Sequence, residues 1–251
     1  METAELIFVP TPGIGHLVAT LEFAKRLIDG DDRILITVLV MKLPFTTFVD
    51  AYTKSFTAAQ SRIQLIDLPE AEPPSPELLN ESIEYYITLF IDSQLPNVRN
   101  IVSDIVSSRS SSGSVRVTGL IVDFFCVSII YVASELRLPS YIFLTSNAGF
   151  LGLMLYLPTC HDQISSVFEP SDSHVSILGF VNPVPVSVLP LALFHKLGYS
   201  SYIKLAQRFN DVNGIICQNN KVSSSVIVIN NSSGTGGGVF SENNWLLFFG
   251  R

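Results

Sequence analysis

Glu5-Leu-Ile-Phe-Val-Pro10, then Thr11-Pro-Gly-Ile-Gly15, then His16-Leu-Val-Ala-Thr-Leu21 is the stretch on which the fold turns. The first segment is a short apolar run closed by proline and reads as a buried strand. The second is a loop by its proline and glycine content. In the third, Leu17, Leu21, Ala24 and Ile28 recur at helical spacing, and Gly30 offers a stop. Strands and helices then alternate along the chain. Strands are expected at Ile34–Met41, Ile63–Leu68, Val117–Val122 and Pro139–Leu144, with a last short one at Asn213–Cys217. Helices are expected over Pro44–Ala59, over Glu77–Ser107 with a break near Pro96, and over Cys126–Leu136, Asn147–Leu157 and Tyr199–Phe209; Pro158 to Leu197 reads as loop-rich. Alternating strands and helices give an α/β fold, a doubly wound, Rossmann-like parallel sheet with helices on both faces. The expected strand order is 3-2-1-4-5. Ligands in such sheets sit beyond the strand C-termini where the order reverses, here between strands one and four. That places Gly15, His16 and Asp123 in a cleft.

The 251 residues suffice for one large domain or two small ones, and 47% hydrophobic against 15% charged residues makes a large core available. Mean hydropathy is +0.41 and the pI about 5.0. The net charge is −7 and no basic stripe occurs, which argues against nucleic acid as a partner. Cys126, Cys160 and Cys217 are far apart and in no metal-ligand spacing, as in a chain from a reducing compartment. The N-terminus lacks a basic region, so no secretory signal is expected and the location reads as cytoplasmic. Asp123, Thr145-Ser-Asn147 and Pro183, Pro185 and Pro190 interrupt the longest apolar runs, so no membrane span is expected. His161, His174 and His195 show no metal-like spacing, and no metal site is expected.

Several residues carry chemistry. Pro12-Gly-Ile-Gly-His16 lets the backbone approach a ligand at a helix N-terminus. It is not a dinucleotide fingerprint, since the third glycine would fall at Val18, nor a P-loop, since no Gly-Lys-Ser/Thr follows. His16 opens the helix, whose positive end is expected to lower its pKa and keep it neutral as a general base; a capping histidine is the plainer reading. Asp123 ends the apolar strand Leu120-Ile-Val-Asp and needs a partner if buried. Either it orients His16 across the switch point or it caps the next helix. Past strand five, Thr145 reads as a ligand contact and Ser146 as a helix cap. Phe124 and Phe125, with Tyr85, Tyr86 and Phe90 on the long helix, could line an apolar pocket or fill the core.

Three landmarks now carry a resemblance. Phe8-Val-Pro-Thr-Pro-Gly-Ile-Gly-His-Leu17 with Glu22-Phe-Ala-Lys-Arg-Leu27, Gly119-Leu-Ile-Val-Asp-Phe-Phe-Cys-Val-Ser128, and Leu138-Pro-Ser-Tyr-Ile-Phe-Leu-Thr-Ser-Asn147 together resemble the N-terminal half of plant UDP-dependent glycosyltransferases of small molecules. The resemblance implies a GT-B enzyme of two Rossmann-like domains, the first binding an acceptor such as a flavonoid, another phenol or a terpenoid, and the second binding UDP-glucose or a relative as co-substrate. It implies no cofactor and no metal. His16 would deprotonate the acceptor hydroxyl, Asp123 would balance His16, Thr145 would touch the donor sugar, and Ile14, Gly15, Tyr86, Phe90, Phe124 and Phe125 would contact the acceptor. The family's donor-binding signature, rich in Trp, Gly, His and Asn, is not found in these residues. The expectation is therefore an acceptor-binding domain over 1–216 and an irregular, non-family tail over 217–251, truncated before the UDP-sugar domain and inactive alone. A non-catalytic acceptor-binding fragment is the alternative, and a monomer is expected in either case.

Overall fold

In the computed structural model, which describes residues 3–44, 56, 61–164, 167–169, 171–177, 180–219 and 225–230, the first strand, β1 (Thr3–Val9), lies in the middle of the sheet. Helix α1 spans Ile14–Gly30, β2 Ile34–Val40 and β3 Ile63–Asp67. A short α2 (Leu78–Glu81) precedes α3 (Ile83–Ser93) and α4 (Leu95–Ser112). Strand β4 (Val115–Asp123) runs into a 3₁₀ turn at Phe124–Ile129 and α5 (Ile130–Glu135). Then come β5 (Ser140–Leu144) and α6 (Ala148–Ile164). A two-residue ladder joins β6 (His174–Val175) to β7 (Val184–Pro185), and α7 (Lys196–Gln207) leads to β8 (Gly214–Asn219) and β9 (Ser225–Asn230).

The main sheet has the order β3-β2-β1-β4-β5-β8-β9. Every neighbouring pair is parallel except β8–β9. This is the doubly wound sheet expected, with its reversal between β1 and β4. Both faces are covered, which is why β1 and β2 read as unbroken apolar runs. On β1, Leu6 and Phe8 face a core shared with Leu17, Leu21 and Leu27 of α1. Ile7 and Val9 face the opposite core, shared with Phe90 and Ile91 of α3 and Val98 and Val102 of α4.

The long helical region breaks at Gln94, near Pro96 as expected, and also at Ser82. Ser82 accepts the Tyr85 N–H at 3.2 Å and so caps α3. Pro96 sits in the first turn of α4, where its missing N–H leaves no bond unmade. The loop expected from Pro158 begins later, because α6 continues through that proline to Ile164. Its last turns pack on α7: Cys160 is buried, and His161 Nδ1 lies 3.2 Å from the Tyr199 hydroxyl. That packing offsets the bond Pro158 cannot donate. Helix α7 itself starts at Lys196, three residues ahead of the expected Tyr199. Pairing also runs past the boundary drawn at 216. Strand β8 continues to Asn219, and residues 225–230 pair antiparallel with it, as the β-branched run Val226-Ile-Val-Ile229 favours. Residues 231–251, and nearly all of the helix expected at Pro44–Ala59, lie outside the described residues.

Candidate active site

The C-terminal ends of β1, β4 and β5 meet at one open cavity of about 330 Å³, lined by Gly15, His16, Ala19, Phe124, Phe125, Thr145, Ser146 and Phe150. That volume is at the lower end of the range for small-molecule sites. The backbone ahead of α1 turns sharply at Gly13, whose φ of 153° an L side chain rarely adopts. No side chain caps α1 and its first turn holds no acidic residue. Its positive end therefore stands open beside His16.

Asp123 is the end of β4, with a side chain wholly shielded from solvent. Its two oxygens do different work. Oδ2 lies 2.9 Å from His16 Nδ1. Oδ1 accepts the Thr11 hydroxyl at 2.6 Å and the Phe125 N–H at 3.3 Å. The two roles weighed for this aspartate, orienting a histidine and capping the following turn, thus coexist on one carboxylate. Because a carboxylate only accepts, Nδ1 carries the hydrogen and Nε2 is left as an acceptor. Thr145 Oγ1 lies 3.3 Å from the same Nδ1.

The His16 pKa is raised, where the reading from sequence had it lowered. Burial pushes the imidazole down, but the hydrogen bond from His16 to Asp123 and the carboxylate's charge outweigh it, and the net pKa is raised. The buried anion is within contact distance, whereas the helix end is a partial charge. The arrangement is suited to taking up a proton and holding it as imidazolium.

Of the residues proposed from sequence, Gly15, His16, Phe124, Phe125 and Thr145 line the cavity, with Asp123 directly behind His16. Ile14 is 43% exposed on the first turn of α1 and is not among the lining residues. Tyr86 and Phe90 do not reach the cavity; they are 2% and 1% exposed in the core between α3 and the sheet. Their helical spacing was a core pattern, the plainer of the two readings. Ser146 lines the cavity instead of capping α6; Asn147 caps it, its Oδ1 accepting the Phe150 N–H at 3.0 Å. Sequence reasoning also missed Thr11, Ala19, Phe150 and the supporting Tyr202. Ala19 was accessible, since it lies one turn beyond Gly15 and His16 on the same helix face. Tyr202 was not. It comes from α7 to meet Phe124, Phe125 and Phe150 edge-on, at ring separations of 6.4, 6.4 and 6.1 Å.

Among the described residues no cluster could hold a metal ion, and no helix is long and apolar enough to cross a membrane.

A parallel sheet whose order reverses between β1 and β4, with an aromatic cavity at that point, is a Rossmann-like domain with a ligand site at its switch point. No protein-family model matches the chain, but individual proteins do. UDP-glycosyltransferase 71K2 of Pyrus communis is 49% identical over 217 residues, covering 86% of this chain and 45% of the relative. A flavonol 3-O-glucosyltransferase of Arabidopsis thaliana is 46% identical over 222 residues, covering 86% of this chain and 46% of its own. The crystal structure of Medicago truncatula UGT71G1 with UDP-glucose superposes with a TM-score of 0.77 at 50% identity, over 86% of this chain and 46% of that one. The chain belongs to the plant UDP-glycosyltransferases and corresponds to their N-terminal half. It spans about half the length of the curated relatives it matches.

Proposed function

We infer that these residues form the acceptor half of an inverting UDP-glycosyltransferase, with His16 as the general base. The observation that carries this is the 2.9 Å contact of His16 with the buried Asp123 at the floor of an aromatic cavity. An acceptor hydroxyl beside Nε2 gives up its proton to the imidazole. The oxygen forms a bond to the anomeric carbon of a UDP-sugar as the bond from that carbon to the UDP oxygen breaks on the opposite face. UDP leaves with the electron pair, and the sugar centre inverts. Asp123 keeps Nδ1 protonated and balances the imidazolium. Gly15 and Thr145 border the space where acceptor and sugar would meet, and Phe124, Phe125 and Phe150 form an apolar wall suited to a planar phenolic acceptor. Glucose is the donor sugar proposed, supported by the UDP-glucose complex of the Medicago relative; the flavonol glucosyltransferase supports a phenolic acceptor. The three free cysteines, all buried, support a reducing, cytoplasmic setting.

Two substrates must be positioned together for this reaction, and positioning supplies several kcal/mol of barrier lowering. The acceptor half by itself is therefore expected to bind phenols without transferring sugar to them. The test is a hybrid that joins residues 1–216 to the C-terminal half of the Pyrus communis relative. With UDP-glucose and a panel of phenols it should form glucosides, and His16→Ala should abolish them. A folded hybrid that binds UDP-glucose but makes no glucoside, or one that works equally well as His16→Ala, would overturn the assignment.

A further inference from the structure

We propose that Thr11 is a positioning residue for the His16–Asp123 pair: its hydroxyl clamps Asp123 Oδ1 and so turns Oδ2 toward the imidazole. A carboxylate rotates about a broad, two-fold torsion, and no solvent reaches this one to settle its orientation. Two groups hold Oδ1. The Phe125 N–H is long, at 3.3 Å, whereas the Thr11 hydroxyl is short, at 2.6 Å, as charge-assisted O–H···O bonds are. Thr11 is itself fixed. It is 3% exposed, it precedes Pro12, which excludes helical backbone at that position, and its β-branched side chain has a restricted first torsion.

A second contact orders the hydroxyl further. Thr11 Oγ1 lies 3.7 Å from the sulfur of Cys126. The single threonine hydrogen is committed to the carboxylate, so the thiol is the donor in that contact. Burial and the nearby Asp123 charge push the Cys126 thiol well up, which keeps its hydrogen in place. Thiol and hydroxyl thus donate toward the carboxylate from the core side while the imidazole donates to it from the cavity side, and Thr11 is the link that fixes the torsion at which the carboxylate meets His16.

The catalytic meaning of this chain rests on His16 being the base, but the positioning is measurable without turnover. Nitrogen-15 NMR of the 251-residue chain reads the neutral tautomer of the His16 ring, its signal assigned by loss in His16→Gln. The wild type should show the Nδ1–H form alone. Thr11→Val, which keeps the shape, and Thr11→Ala, a second variant should the first not fold, should lose that exclusivity and populate Nε2–H. Thr11→Ser, which keeps the hydroxyl, should behave as wild type. A mixed tautomer in the wild type, an unchanged tautomer in folded Thr11→Val or Thr11→Ala, or a mixture in Thr11→Ser overturns the proposal. In the hybrid enzyme the same Thr11→Val change should lower kcat and leave KM for UDP-glucose unchanged. If the hybrid makes no glucoside, the tautomer series still decides the role of Thr11, so the two ideas fail separately.

Discussion

Asp123→Asn tests the coupling between carboxylate and base with little change of shape. The Thr11 hydroxyl can still donate to the remaining carbonyl oxygen, as it does to Oδ1 at 2.6 Å. The new amide then faces His16 Nδ1, 2.9 Å away, where Oδ2 stood. An amide N–H donates, so Nδ1 must accept, and the hydrogen moves to Nε2, the atom that has to receive the acceptor's proton. Two losses combine: the wrong tautomer, and an imidazolium with no counter-charge. Removing one member of a buried pair costs about 3–5 kcal/mol. The shielding of Asp123, with His16 only 29% exposed, puts this pair in that range. At 1.36 kcal/mol per decade, kcat of the hybrid enzyme should fall by about 10²–10⁴. Initial rates of glucoside formation at saturating UDP-glucose measure it. Asp123→Asn should also add little to His16→Ala, since the aspartate acts through the histidine. A fall of less than about tenfold, or additive losses in the double variant, would refute the reasoning.

Four further outcomes follow. His16 must be neutral to accept a proton and its pKa is raised, so the hybrid's rate should climb with pH through a half-point above the ordinary histidine value; Asp123→Asn should move it downward, because burial then acts alone. The same raised value means that the pair stabilises the fold at pH below the unfolded histidine pKa of about 6.5 and loses that contribution as pH rises through the folded pKa. The Tm gap between wild type and His16→Gln should shrink accordingly. Arg109→Ala strands the Glu5 carboxylate, 1% exposed, which Arg109 meets at 2.6 Å and Thr37 at 2.7 Å; urea unfolding should show a loss of about 3 kcal/mol, with phenol binding unchanged because Glu5 lies toward the sheet end opposite the cavity. Gly198→Ala puts a methyl group 2.5 Å from the Ala192 carbonyl oxygen and should cost about 1–3 kcal/mol in the same assay.

The sheet was legible because its signals are local. Apolar runs such as Leu6–Val9 and Ile34–Val40 are buried on both faces, so each strand announces itself without knowledge of its neighbours. Errors came where tertiary contacts overrule local chemistry. Pro158 reads as a helix stop, yet α6 passes through it because Cys160 is buried and His161 reaches Tyr199 on α7. The break near Pro96 was legible because proline suits a helix start, whereas the interruption at Ser82 carries no proline and was missed.

The site divides along the same line. Residues at or shortly beyond the C-terminal end of a strand, His16, Asp123 and Thr145, could be placed by topology, since the order of a parallel sheet decides which strand ends become neighbours. What topology could not decide was the role of Asp123, because capping and orienting both call for a carboxylate at that position. The geometry removes the choice: one oxygen caps and the other orients, and each role reinforces the other by fixing the torsion they share. The same logic explains why Thr11 escaped notice. Its hydroxyl matters only through an atom of Asp123, 112 positions away in sequence, and no local pattern encodes how a distant carboxylate must be turned. On the proposed roles, a base whose tautomer depends on such a contact is specified jointly by the loops after β1 and β4. Exchange of either loop alone between relatives should therefore cost activity even when both histidine and aspartate are kept.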